Sequence, residues 1–320
     1  MAKHAVLSAS SSERWLNCPP SARLCEAYED KGSDYAAEGT DAHTLCEFRL
    51  KQALGIPADD PIENLSWYNE EMEECAQGYA AYVVELLETA KQTCSDPVVM
   101  IEQRVNFSRW VKEGFGTADC IVIADGVMNI CDYKHGKGGE VSAVGNPQMR
   151  LYALGALEIF DDIYDIEEIR MTIYQPRKSN ISVDAMAKAD LLRWADTDLY
   201  EKAEMAYAGL GDFQCGKWCR FCKAKAECRK RAETNMELAR YDFQAPALLE
   251  DSEIADILDK VDALTAWASD VKESPLYFSF WRMLITVPWH HLVLPPGVGM
   301  PRLIKCLQMP AAVLPCRYRL

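Results

Sequence analysis

Apolar residues recur at three- and four-residue intervals over 36–54 and 68–92, the pattern of amphipathic helices. A shorter capped helix is predicted within "SASSSERWLNCPPS" (8–21), ended by Pro19 and Pro20. The period then changes. Stretches at about 98–105, 117–124 and 127–133 read as strands, and "NPQMRLYALGALEIF" (146–160) as a helix with Pro147 in its first turn. A strand over 168–176 and a long helix over 184–208 follow. Helices, three strands, helix, strand and helix in that order predict an α/β fold, a mixed sheet flanked by helices.

Between the second and third strands lies Asp125-Gly126, a strong hairpin signal when flanked by apolar runs. A two-residue turn there pairs Ala124 with Val127, Ile121 with Ile130 and Cys120 with Cys131. One step further it sets Asp119 opposite Asp132. Like charges so placed destabilise each other unless a proton or cation lies between them. Lys134 leaves the same sheet face two residues beyond Asp132, while Ile121, Ile123, Met128 and Ile130 continue that face as core. Both strand faces are largely apolar, which places the hairpin centrally and favours a divalent-metal site over a surface salt bridge. The "GKG" at 136–138 is not a nucleotide-binding loop. It lacks the first glycine of G-x-x-x-x-G-K-[ST], and Gly138 stands where Ser or Thr is required.

Charge narrows the partners. The chain has 320 residues, 49 % hydrophobic, with a net charge of −15, so any polyanion must be met by a local cationic cleft or by bound cations. Nothing at residues 1–15 resembles a signal peptide. The apolar stretch "LYFSFWRMLITVPWHHLVLPP" is interrupted by Arg282, Pro288, His290 and His291, so no membrane span is expected. Thirteen cysteines in that setting point to reduced thiols or metal ligands in a cytoplasmic protein.

Other polar residues fall on helical faces. His43 lies on the first long helix with Cys46 and Glu47 close by, half of a zinc site at most. Gln148 and Tyr152 are four apart on the helix after the hairpin. Taken together, "GTDAH" (39–43), "GTAD" (116–119), "DYK" (132–134) and "QMRLY" (148–152) follow one another in order. In this the chain resembles the RecB-like branch of the PD-(D/E)XK nucleases, whose motifs are G-x-x-x-H, G-x-x-D, (D/E)-x-K and Q-x-x-x-Y. The likeness covers roughly residues 8–230, and Asp132 stands where Glu is commoner. It implies a restriction-endonuclease-like core. It further implies a Mg²⁺ or Mn²⁺ site from His43, Asp119, Asp132 and the Tyr133 carbonyl, with Lys134 positioning water and Gln148 and Tyr152 orienting the strand. Arg104, Arg109, Lys112, Lys137 and Arg150 are candidate phosphate contacts, together with a basic loop further on.

That loop is "CGKWCRFCKAKAEC". Its spacing alone leaves open a self-contained Zn²⁺ site from Cys215, Cys219, Cys222 and Cys228. The resemblance adds a second reading. AddB and the CRISPR-associated RecB-like exonucleases split a 4Fe–4S site between one cysteine before the core and three after it, which here match Cys18 and Cys219, Cys222 and Cys228. Cys215 is then spare. Cys120 and Cys131, within strands, read as small buried hydrophobes.

The expected organisation is an N-terminal segment (1–35) bearing the first cluster cysteine, a nuclease core (36–210), a cysteine region (211–235), a helical segment (236–273) and an atypical tail (274–320). All 49 acidic residues lie at or before Glu273, and helical periodicity fades near 275. An altered reading frame would account for such a tail. The resemblance implies an exonuclease acting on single-stranded or duplex DNA ends in phage or prophage recombination, repair or replication, alongside a single-strand-binding or recombination protein. The alternatives are a non-catalytic nucleic-acid-binding component of a recombination complex and a zinc- or iron–sulfur-based structural adaptor.

Overall fold

A computed structural model describes residues 5–29, 32–238 and 249–274. All but the first residue of the acid-free tail therefore lies outside the described residues, and with it the reading-frame expectation. The chain divides into two compact units, 1–267 and 268–320. The first holds the N-terminal segment, the predicted core and the cysteine region together.

Two short helices, α1 (Ser12–Asn17) and α2 (Ser21–Glu26), come first, separated by the Pro19-Pro20 break. Helix α3 (Asp34–Ala53) starts at Ser33, whose hydroxyl accepts from the Ala36 N–H. Helix α4 (Glu70–Ala90) starts at Asn69, whose side chain accepts from Met72 N–H. Strands β1 (Val98–Asn106), β2 (Phe115–Ala124) and β3 (Val127–Tyr133) follow, then α5 (Pro147–Phe160) and β4 (Glu168–Gln175). Asn146 caps α5 by accepting from the Gln148 and Met149 amides, with Pro147 in the first turn.

Part of the expected 184–208 helix is instead strand. Residues Asn180–Ala187 form β5, with alternating exposed and half-buried positions, and only then come α6 (Lys188–Trp194), a π-turn (Ala195–Leu199) and α7 (Tyr200–Ala208). The exposed positions of β5 include the apolar Ile181 and Val183 and its half-buried ones Ser182 and Asp184, so the usual apolar-in, polar-out alternation is inverted until β4 is beside it. Helices α8 (Arg229–Met236) and α9 (Asp251–Glu273) follow the cysteine region. Among the described residues, no helix is long and apolar enough to cross a membrane.

The five strands lie in the order β1-β2-β3-β4-β5, antiparallel throughout except for the parallel β3–β4 pair. Ile121, Ile123, Met128 and Ile130 share one buried cluster with α5, while Cys120, Val122, Cys131 and Tyr133 share the other with α3 and α4. The sheet is thus covered on both faces, as the apolar hairpin required. Helix α5 lies so close to β1 that a Cβ on Gly155 would come within 2.9 Å of the Val105 Cβ.

Strict alternation fails at one point. Ala118 and Ile121 face the same cluster although three residues apart. Opposite them the ladder is interrupted between Ile101 and Gln103, and Glu102 and Asp119 are missing from an otherwise constant β1–β2 register. Glu102 takes φ +51°, a left-handed backbone uncommon outside glycine. The hairpin register itself is as the turn predicts from Ala124–Val127 to Cys120–Cys131, and the ladder stops one step before Asp119–Asp132.

Candidate metal centre and cysteine cluster

The open end of the hairpin gathers side chains from four elements. His43 of α3 places Nδ1 3.3 Å from Asp119 Oδ2. That same oxygen accepts the Tyr133 main-chain N–H at 2.7 Å, a side-chain contact standing in for the missing ladder bond. Lys134 reaches Asp132 Oδ2 at 2.7 Å, and its own N–H continues to the Tyr174 carbonyl of β4. From the first turn of α5, Gln148 donates to Asp132 Oδ1 at 3.2 Å and to the Tyr152 hydroxyl at 3.0 Å. Its Oε1 accepts from Lys134 at 3.4 Å. His43, Asp119, Asp132, Lys134, Gln148 and Tyr152 therefore form one connected cluster.

Glu102 joins them without a motif to announce it. Ligand atoms of His43, Glu102 and Asp119 all lie within 4.8 Å of one another, the only such group of three or more among the described residues. Asp132 stands outside that trio, held by Lys134 and Gln148. The available signal for Glu102 was a lone acid in an apolar strand, directly opposite Asp119 in the β1–β2 register.

Two glycines of the motifs have different reasons. A Cβ on Gly116 would come 2.8 Å from a Tyr152 ring carbon, so the glycine of "GTAD" makes room for the tyrosine of "QMRLY". A Cβ on Gly39 would meet nothing within 4 Å, so α3 has open space beside it one turn before His43.

Charge at the cluster is finely divided. Burial works against ionisation of both His43 and Asp119. Their mutual attraction outweighs it, raising the histidine and lowering the aspartate. Burial pushes Asp132 up, Asp119 adds to this and Lys134 opposes it. Burial also acts against charge on Lys134, but Asp132 and Asp119 prevail, so its ammonium is held more firmly than usual. Glu102 is pushed up to about 7, first by burial and then by the Asp119 charge.

Beneath the cluster, Tyr133 Oη lies 2.7 Å from Nδ1 of buried His135, whose Nε2 is 3.4 Å from Glu38. Arg177 bridges Glu38 and Glu71 at 2.7 and 3.1 Å. This network ties the chain leaving β3 to α3 and α4. Cys46 is buried in the core and Glu47 pairs with Lys51, so neither completes a zinc site with His43. Several expected phosphate contacts are already engaged. Arg104 lies over Phe115, Lys112 over Tyr207 and Arg150 over Trp194, while Arg109 pairs with Glu158 and Lys137 with Glu71.

The cysteines gather elsewhere. Cys18, Cys219, Cys222 and Cys228 line one cavity with Arg14 and Arg231. Cys18 sits just past α1, where its sulfur accepts from the Gln214 N–H at 3.4 Å, and Cys219 accepts from Gly216 N–H at 3.5 Å. Cys215 is absent from that lining. It hydrogen-bonds Cys219, which lowers the Cys219 thiol to about 6. A sixth thiol, Cys25, comes within 3.7 Å of Cys222 and takes a hydrogen bond from Arg14 at 3.3 Å. No spacing rule flags Cys25, because only the packing of α2 on the loop brings it there.

The fold and site thus define an α/β protein with a five-stranded mixed sheet and a half-buried histidine–carboxylate–lysine cluster at one strand end. A family profile described as "Protein of unknown function (DUF2800)" matches residues 4–277, and the chain belongs to that family. Among solved structures, SSO0001 is similar at 14 % identity, over 58 % of this chain and 95 % of that one, with a TM-score of 0.25.

Proposed function

We propose that the protein is a metal-dependent deoxyribonuclease of the RecB-like PD-(D/E)XK type. The observation that carries the reading is convergence. Residues from positions 43, 119, 132–134 and 148–152, on four separate elements, meet within hydrogen-bonding or ion-pairing distance. Stability alone does not call for a half-buried lysine beside a buried and a half-buried carboxylate, since desolvating such groups costs several kcal/mol each.

The donor set suits Mg²⁺ or Mn²⁺, which favour carboxylate and carbonyl oxygens. His43, Asp119, Asp132 and the Tyr133 carbonyl would hold the ion, with Glu102 at hand as a further ligand. Asp132 Oδ2 is buried and meets the Lys134 ammonium at 2.7 Å. Such an ion lowers the pKa of water and offsets charge on the scissile phosphate. The Lys134 ammonium, kept protonated by its two aspartates, orients the attacking water and neutralises charge developing on phosphate oxygens. Gln148 holds Asp132 and Lys134 in place, and Tyr152 holds Gln148. Within this class the expected activity is exonucleolytic trimming of single-stranded or duplex DNA ends in phage or prophage recombination, repair or replication. The setting is cytoplasmic, with a single-strand-binding or recombination protein as partner.

The shared cavity of Cys18, Cys219, Cys222 and Cys228 favours a 4Fe–4S cluster joining the N-terminal segment to the end of the core. A mononuclear zinc tetrahedron with Zn–S of about 2.3 Å brings its sulfurs to roughly 3.8 Å from one another. The described cysteines make no group of three that close.

Purified protein incubated with labelled linear and single-stranded DNA and Mn²⁺ tests the enzyme reading. Cleavage by wild type and none by Lys134→Ala is the expected result. Equal inertness of both would leave a nucleic-acid-binding component or structural adaptor instead.

A further inference from the structure

The glycine loop after β3 is unused by the site as described. Every residue of 136–140 is exposed. Buried Gln175 donates to the Gly136 and Gly139 carbonyls at 3.0 and 3.3 Å and accepts the Val141 N–H at 3.0 Å. The Gly136 and Gly139 carbonyls are therefore held by Gln175, while none of the amides of residues 136–139 donates to another group among the described residues. Across the loop stands Arg220, with its Nη2 3.5 Å from where a Gly138 Cβ would lie and no ion-pair partner among the described residues. Beside it Phe221 is 80 % exposed, its ring 5.5 Å from the Arg220 guanidinium.

Main-chain N–H groups with no internal acceptor are free to donate to an anion, and a guanidinium matches phosphate geometry. An exposed aromatic ring next to such a group is the other half of single-strand recognition, because every base offers a face for stacking. Gly136 is two residues from Lys134, at most about 7 Å of chain, so a phosphate here neighbours the one at the cluster.

We propose that residues 136–139 and Arg220 form a phosphate subsite for single-stranded DNA, with Phe221 as the stacking platform for the adjoining base. The proposal rests on the nuclease reading for its direction, since the strand runs from this subsite to Lys134. It is tested separately, by binding.

The measurement is fluorescence anisotropy of a labelled oligothymidylate in Ca²⁺, over a range of salt, using the full chain. Arg220→Gln should weaken binding and reduce the slope of log affinity against log salt by about 1. Phe221→Ala should weaken it roughly five- to a hundredfold with the slope unchanged. Gly138→Asp, for which the structure has room, should abolish the gain from Arg220 by placing a carboxylate in the anion's position. Wild-type affinity and slope in Arg220→Gln and Gly138→Asp would overturn the subsite. So would a wild-type protein that does not bind the oligothymidylate, or inorganic phosphate displacing it at equal concentration. Cleavage by wild type and not by Lys134→Ala, in Mn²⁺, would leave the nuclease reading standing even then. Binding with the predicted losses but no cleavage would remove the nuclease reading and keep the subsite.

Discussion

Replacing Glu102 by Gln should make the metal-free protein more stable at pH 8. The folded carboxyl is raised from 4.5 to about 7 by burial and by Asp119, so the folded state holds this proton more tightly than the unfolded one. For an acid shifted in that direction, the stabilisation is complete below about 4.5 and is lost as pH rises through about 7. At about 1.36 kcal/mol per pKa unit the loss is about 3.4 kcal/mol. Partial exposure of the side chain screens it, leaving roughly 2 kcal/mol. Gln keeps the shape and the φ of +51°, so backbone strain cancels in the comparison and only the charge is removed. Urea unfolding in EDTA and a thiol reductant, at pH 5 and pH 8, reads the difference. Glu102→Gln should exceed wild type by roughly 2 kcal/mol at pH 8 and by less than about 1 at pH 5. In Mn²⁺ the order should reverse, because a ligand at a hundred times its Kd adds about 2.7 kcal/mol to the form that binds it. A variant no more stable than wild type at pH 8 in EDTA would refute the reasoning. So would a gain of equal size at pH 5.

Gly116→Ala should cost about 1–3 kcal/mol of stability, since its Cβ would sit 2.8 Å from the Tyr152 ring. Adding Tyr152→Leu should recover the thermal midpoint but not Mn²⁺-dependent cleavage. Gly39→Ala meets open space in the middle of α3, so it should raise stability by about 0.5–1 kcal/mol. An accompanying fall in DNA affinity would show that the space is used by the strand. Cys18→Ser should remove the brown colour and absorbance near 400 nm of anaerobically purified protein, whereas Cys215→Ser should retain both. Colourless wild-type protein with stoichiometric zinc would replace the cluster by a zinc site.

Much of the architecture was legible because its signals are local. Ser33, Asn69 and Asn146 cap helices through their own side chains, and Asp125-Gly126 sets the hairpin register through a turn only two residues long. Strands covered on both faces announce themselves by continuous apolar runs. The motif residues His43, Asp119, Asp132, Lys134, Gln148 and Tyr152 could be singled out from order and spacing on those elements. Strand β5 could not, since an edge strand draws its stability from one neighbour that the local pattern does not contain.

The remaining features depend on contacts between segments distant in sequence. The break in the ladder at Glu102 and Asp119 falls where both strands carry an acid, and the two carboxylates gather with His43 instead. Cys25 reaches Cys222 only through the packing of α2 on a loop 197 residues away. Sequence by itself determined most of the elements, the hairpin register and the order of the polar residues His43, Asp119, Asp132, Lys134, Gln148 and Tyr152 on them. Tertiary structure alone decided that Glu102 joins the histidine and aspartate and that Arg220 lies over the glycine loop. Local interactions act between neighbours in the chain, while a site is made by whichever side chains the packed sheet and helices bring to one point.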